Sequence, residues 1–137
     1  PSLAILPSEE SEWPDEIEGF AYKEYEILSN GDPVITYEMP GVSIRETFET
    51  RDSGKKLVHS LSVTSDGSKQ LYCLVAQGAK IEKLPNGLYA VDDKSYYIEF
   101  ERKTSPILRS TSDGTQELIL PMQLKDNMGK VTYSIVW

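Results

Sequence analysis

Apolar and polar residues alternate with a period of two over most of this chain. The stretch over residues 56–76 shows it most plainly. Leu57, His59, Leu61 and Val63 alternate with Val58, Ser60 and Ser62, and Leu71, Cys73 and Val75 alternate with Tyr72, Leu74 and Ala76. Successive side chains leave a pleated backbone on opposite faces, so this rhythm predicts strands with one buried side. Thr64-Ser65-Asp66-Gly67-Ser68 lies between the two arms, and its Asp-Gly pair tolerates a tight reversal. The expectation is a hairpin around which the rest is arranged.

The same rhythm recurs on both sides of it. Ile35, Tyr37 and Met39 share a face; Val42, Ile44, Glu46 and Phe48 share the next; Tyr96, Ile98 and Phe100, then Val131, Tyr133, Ile135 and Trp137, close the series. Phe20 and Tyr22 fall on one parity and Tyr25 and Ile27 on the other, a slip that one extra residue near Lys23-Glu24 produces, so a β-bulge is predicted there. Turn residues recur at Asn30-Gly31, Asn86-Gly87, Asp113-Gly114 and Asp126-Asn127. Pro106 assigns the strand after it to a sheet edge.

About ten short strands with turns between them predict an all-β fold, an antiparallel two-sheet β-sandwich. Residues 20–137 form the single domain. Residues 1–19 differ in kind, with three prolines and six acidic residues between Glu9 and Glu18. They are expected to be an irregular lead-in packed on the domain, with Leu3 to Leu6 against the sheet, Trp13 plugging its end, and room for one short capped helix at Ser8 or Ser11. Pro1 in place of a methionine suggests a piece excised from a longer polypeptide.

A length of 137 residues suits one domain, and a 39% hydrophobic content is globular. The net charge of −8 argues against a nucleic-acid surface, which needs clustered Lys and Arg. No apolar run reaches the roughly 20 residues of a membrane helix, so membrane insertion is not expected. One cysteine allows neither an internal disulfide nor a Cys-rich metal site.

Candidate chemistry is sparse. His59 and Cys73 are the only histidine and cysteine, and both fall on the predicted buried parity, with no third group in the flanking sequence to orient them. The aspartates match no calcium loop, and haem attachment through C-x-x-C-H is absent, which leaves His59 with Met39, Met122 or Met128 as the sole conceivable axial pairing. No cofactor and no metal are therefore assigned. Glu24, Glu26, Glu38, Glu46, Glu99 and Glu101 offer many carboxylate pairs and single out none. Tyrosines carry more information: Tyr72 and Tyr97 oppose the core parity of their strands and, with Trp13 and Tyr89, are the candidate rings for stacking on sugar CH faces.

Read from Leu3-Ala4-Ile5-Leu6 and Trp13-Pro14, through Gly19-Phe20-Ala21-Tyr22-Lys23-Glu24-Tyr25, Gly31-Asp32-Pro33-Val34-Ile35-Thr36-Tyr37 and Gly41-Val42-Ser43-Ile44-Arg45-Glu46-Thr47, to Leu61-Ser62-Val63-Thr64, Gln116-Glu117-Leu118 and Trp137, the chain resembles a known type of β-rich domain. Such domains occur in large exported bacterial proteins beside c-type cytochrome modules and sugar-dehydrogenase-like propellers. The resemblance implies an exported accessory domain of unassigned role, periplasmic, cell-surface or extracellular, and it carries over no catalytic residue. The expected function is thus a non-catalytic interaction module with a glycan as its leading ligand class and neighbouring domains as its other partners. A carbohydrate-active enzyme using paired carboxylates and a purely structural spacer are the rivals.

Overall fold

A computed structural model describes residues 2–137; Pro1, the first residue of the expected lead-in, lies outside the described residues. Twelve strands account for most of the chain: β1 Leu3–Ile5, β2 Ala21–Ile27, β3 Pro33–Met39, β4 Val42–Arg51, β5 Lys56–Ser65, β6 Leu71–Gly78, β7 Ile81–Lys83, β8 Tyr89–Val91, β9 Tyr96–Phe100, β10 Ile107–Ser110, β11 Gln116–Met122 and β12 Met128–Val136. A single 3₁₀ turn, Asp52–Gly54, joins β4 to β5. The strands form two antiparallel sheets, one ordered β1-β6-β11-β10 and the other β2-β3-β4-β5-β12-β9-β8-β7. The all-β sandwich class follows from the alternation, with two more strands than the pattern counted. β10, after Pro106, is an edge strand as expected.

The predicted hairpin over 56–76 does not form. β5 lies in the larger sheet between β4 and β12, while β6 lies in the smaller sheet between β1 and β11. Both backbone edges of β5 are taken, so β6 has no place beside it, and the turn at Asp66-Gly67 carries the chain from one sheet to the other. The similar Thr111-Ser112-Asp113-Gly114-Thr115 does close a hairpin, between β10 and β11, with Thr111 N donating to Thr115 O at 2.8 Å. Identical turn chemistry therefore serves two different connections.

The predicted bulge does form. Tyr22 pairs with Tyr37 and Glu24 with Thr36, leaving Lys23 as the extra residue. It returns Tyr25, opposite Ile35, and Ile27, opposite Pro33, to the inner face that Tyr22 already occupies. A second bulge interrupts β6, where Val75 is the extra residue between the Ala76–Leu118 and Leu74–Ile119 pairs.

Between the sheets, Leu3, Leu71, Cys73, Leu118, Leu120 and Met122 from the smaller one meet Tyr37, Ile44, Leu61, Val63, Ile98 and Tyr133 from the larger, all buried. Across the inner face of the larger sheet Phe48, His59, Tyr133 and Phe100 stand in one cross-strand row. The sandwich is tied at one flank, where Gln116 Oε1 accepts from Ile81 N at 2.5 Å. At the other flank the whole of β2 is exposed. The lead-in contributes β1, and the short helix allowed at Ser8 or Ser11 is replaced by a turn in which Ser11 N donates to Ser8 O at 3.2 Å.

Gly41 sits where the β3–β4 turn meets the crossover. Its φ is +75°, and a Cβ built there would stand 2.7 Å from the Asp66 carboxylate, whose own backbone N–H donates to Gly41 O at 2.9 Å. Gly54 has a similar φ of +83° with no atom near the same position. Gly41→Ala is expected to cost about 1–3 kcal/mol and Gly54→Ala to cost less, since only the first adds a displaced neighbour to the left-handed strain. Urea unfolding of the two variants checks the order.

Candidate functional site

His59 does acquire the orienting acid that its flanking sequence lacks, but inside the core. β4 and β5 pair so that Glu46 and His59, two residues apart in register, share the inner face. His59 Nε2 is 3.3 Å from Glu46 Oε2, and His59 Nδ1 is 2.7 Å from the Tyr133 hydroxyl. The other carboxylate oxygen accepts from the Tyr37 hydroxyl and, at 2.7 Å, from the Ser2 hydroxyl. The Phe48 ring stacks on the imidazole, 4.4 Å between centroids with 10° between planes. His59 and Glu46 retain 6% and 7% exposure and line none of the surface depressions. Hydrogen bonding is complete if Nε2 carries the proton toward Glu46 and Tyr133 donates to Nδ1. Both ring nitrogens are thereby occupied, which removes the axial pairing with Met39, Met122 or Met128.

Electrostatics matches this arrangement. Burial alone would raise the Glu46 carboxyl; the hydrogen bonds from His59, Tyr37 and Ser2 outweigh it and hold the group below the ordinary carboxylate range. Burial raises the Tyr37 phenol, helped by its hydrogen bond to Glu46, and burial also raises Tyr133. The Cys73 thiol, fully buried, is pushed up to about 12 by burial and then by the Glu46 carboxylate. Such a thiol is inert rather than nucleophilic. Among the described residues no three His, Cys, Asp or Glu side chains converge as a metal site.

The four candidate rings are dispersed. Tyr72, opposite Ala4 and Pro121, is half-buried in the smaller sheet; Tyr97, opposite Ala90 and Val136, is half-buried in the larger one. They belong to opposite sides of the sandwich and make no common platform. Tyr89 is not a surface ring at all: β8 is buried throughout, and Tyr89 packs edge-on against Phe100 with centroids 5.7 Å apart. A three-residue strand is too short for alternation to reveal its inner face. The most exposed rings are instead Tyr22, at 73%, and Tyr25, at 66%, which the Lys23 bulge places on one face.

Trp13 lines a groove, and Tyr72 lines a separate, shallower depression beside Pro121 and Leu124. The groove holds about 500 Å³ between the lead-in and the β10–β11 edge of the smaller sheet. Its floor is a cross-strand row of Gln77, Glu117 and Arg109. Arg109 Nε donates to Glu117 Oε2 at 2.8 Å, Nη2 lies 2.7 Å from the same oxygen, and Nη1 donates to the carbonyls of Glu9 and Ser11 at 2.8 and 2.6 Å. One guanidinium thus pins the lead-in to the sheet and holds Trp13's segment in place. Asp113, on the rim, is held below its ordinary range by the Thr111 and Thr115 hydroxyls and the Thr115 N–H. The rim adds Ser110, Ser112, Glu12 and Asp15. Glu117 is committed to Arg109 and Asp113 to its threonines, while Glu9, Glu10, Glu12 and Asp15 also line the groove, so it offers hydroxyls and carboxylate acceptors beside an indole, an arrangement suited to holding a polyhydroxylated ligand.

No protein-family model matches the chain, and no curated protein matches it. Sequence reasoning left Glu46 among six undistinguished glutamates, although its parity with Val42, Ile44 and Phe48 was a signal that it faces the core. Arg109–Glu117 had no such signal, because cross-strand register is invisible before the strands are paired.

The sign of the pH dependence follows from the buried cluster. Glu46 titrates lower in the folded state than its unperturbed value of 4.5, so its contribution is complete above that pH and is lost as pH falls through the folded value. Tyr37 and Tyr133 titrate higher than their ordinary 10.0, so theirs is complete below pH 10 and is lost as pH rises further. Glu46→Gln is expected to cost about 1–3 kcal/mol at pH 7, by leaving an amide N–H without an acceptor, with the gap to the wild type narrowing in acid. Urea unfolding at several pH values checks it; a gap independent of pH contradicts the assignment. Ultraviolet titration is expected to show Tyr37 and Tyr133 failing to ionise until the protein unfolds.

Proposed function

We propose that this chain is a non-catalytic β-sandwich module that recognises an oligosaccharide in the groove beside Trp13, as an accessory domain of a larger exported protein. The observation that carries the reading is the groove itself. An indole, hydroxyl groups and carboxylates line one concave volume, and Arg109 ties the lead-in that forms its wall to the sheet through the carbonyls of Glu9 and Ser11. Sugar recognition combines apolar contact with CH faces and polar contacts to hydroxyls, and both are available there. The burial of His59 and Cys73, with both imidazole nitrogens of His59 in hydrogen bonds, supports binding over catalysis.

A second reading has its own support. Tyr22, Tyr25 and Ile27 form an exposed shelf continuous with the core through Phe20 and Tyr37, whose rings lie 5.3 and 5.9 Å from that of Tyr22 in the order Phe20, Tyr37. Apolar area on the order of a few hundred Å² is what a neighbouring domain of the same protein would cover.

Calorimetric titration with a panel of neutral oligosaccharides tests the first reading. Wild-type protein is expected to bind at least one, and Trp13→Ala to weaken it by about tenfold or more, since a stacked ring contributes a kcal/mol or more. Silence across the panel, or binding indifferent to Trp13→Ala, would remove it.

A further inference from the structure

The four edges of the two sheets are not alike. β1 and β7 have three residues each and β10 has four, whereas β2, the end strand of the larger sheet, has seven, all of them exposed. Its only strand neighbour is β3. Leu28 N donates to Asp32 O at 2.9 Å, so Leu28 turns its peptide groups toward β3, and in an antiparallel ladder Glu26 and Glu24 do the same. Pro33, opposite Ile27, has no N–H to give, which agrees with that phase. Tyr25 and Ile27 therefore direct their N–H and C=O groups away from the sheet, at its free edge.

Natural sheets close such an edge with charge, a bulge or a short strand. The bulge and the Lys23–Glu38 pair, at 3.6 Å, blunt β2 only at its start. Beyond them Tyr25 and Ile27, 66% and 53% exposed, stand on the inner face, and Glu24 and Glu26 stand on the outer one. Free backbone donors and acceptors, an apolar inner row and an acidic outer row together make a template for one more strand, with apolar residues at alternate positions and cations between them. A second copy of this chain is a poor occupant. Antiparallel pairing of β2 with itself about Tyr25 sets Glu24 against Glu26 twice, and like charges directly opposite destabilise a pair.

We propose that β2 is a strand-addition site for an extended segment of a partner polypeptide in which Lys or Arg alternates with apolar residues. The proposal rests on the reading of Tyr22, Tyr25 and Ile27 as a covered shelf, and it specifies how that shelf is covered. The partner's backbone bonds to the peptide groups of Tyr25 and Ile27, its apolar side chains extend the row of Tyr22, Tyr25 and Ile27, and its cations stand opposite Glu24 and Glu26. Main-chain bonds supply the affinity, and the alternation of side chains selects the partner.

A short peptide alternating Lys and Val, capped at both ends, tests the site at low salt by fluorescence anisotropy and residue-resolved amide hydrogen exchange. Two further peptides are controls, one of the same composition with its Lys and Val in separate blocks and one with Glu replacing Lys. The alternating Lys peptide is expected to bind and to slow exchange of the Tyr25 and Ile27 amides, with those of Glu24 and Glu26 unchanged. Both controls bind about tenfold more weakly or worse. Glu24→Lys/Glu26→Lys lowers the affinity for the Lys peptide about tenfold, whereas Glu82→Lys/Glu101→Lys, an equal change of net charge at exposed positions elsewhere, leaves it within about twofold. Circular dichroism confirms that each variant is folded, and the exchange measurement on the wild type needs no variant. No binding of the Lys peptide overturns the proposal, as do equal binding of the three peptides and equal losses in the two double variants. Binding that leaves the Tyr25 and Ile27 amides exchanging freely also overturns it, while the shelf stands as a covered surface. Exchange at those amides that slows in the protein alone as its concentration rises overturns it in favour of a second copy.

Discussion

An ionised carboxylate in the interior of a small sandwich dictates much of the rest. Glu46 has the parity of a core residue, and taking its charge out of water is costly unless every lone pair is met. The structure meets them with Tyr37 from β3, His59 from β5 and Ser2 from the lead-in, and Tyr133 on β12 completes the far side of the imidazole. Four adjacent strands of the larger sheet are joined in this way by side chains as well as by backbone. Ser2 adds a link to the segment that begins the smaller sheet. A shift of β4 by one residue would turn Glu46 outward and leave His59 without its carboxylate partner, so the cluster specifies the pairing as well as stabilising it.

This arrangement has a functional consequence. The only imidazole is committed to the core, and the only thiol is buried near a carboxylate that discourages its ionisation. What remains for recognition is the exterior, which is divided. Against the smaller sheet, the lead-in held by Arg109 makes an acid-rich groove with an indole in its wall. On the far side of the larger sheet, hydroxyls and side chains of both charges face outward.

The sequence made some of this legible and hid the rest for physical reasons. Alternation placed Leu57 to Val63 and Leu71 to Val75 inward, and the phase slip at Lys23 located a bulge, because both are properties of a single strand. The partner of each strand is not such a property. Thr64-Ser65-Asp66-Gly67 reads as a hairpin turn, yet β5 already has neighbours on both sides, a fact set by β4 and β12. Tyr89 was misplaced because β8 is too short to show a period. Glu117 and Arg109 lie eight residues apart along the chain, and only the β10–β11 register brings them face to face. The groove was hidden most deeply, since it depends on where an irregular lead-in comes to rest.

The central claim is that His59 is a fixed member of the core rather than a reactive group. Nitrogen-15 and proton NMR of its imidazole tests this most directly. The account predicts slowly exchanging ring-proton signals, with the imidazole held between Glu46 and Tyr133. An imidazole whose ring protons exchange freely with solvent would contradict it.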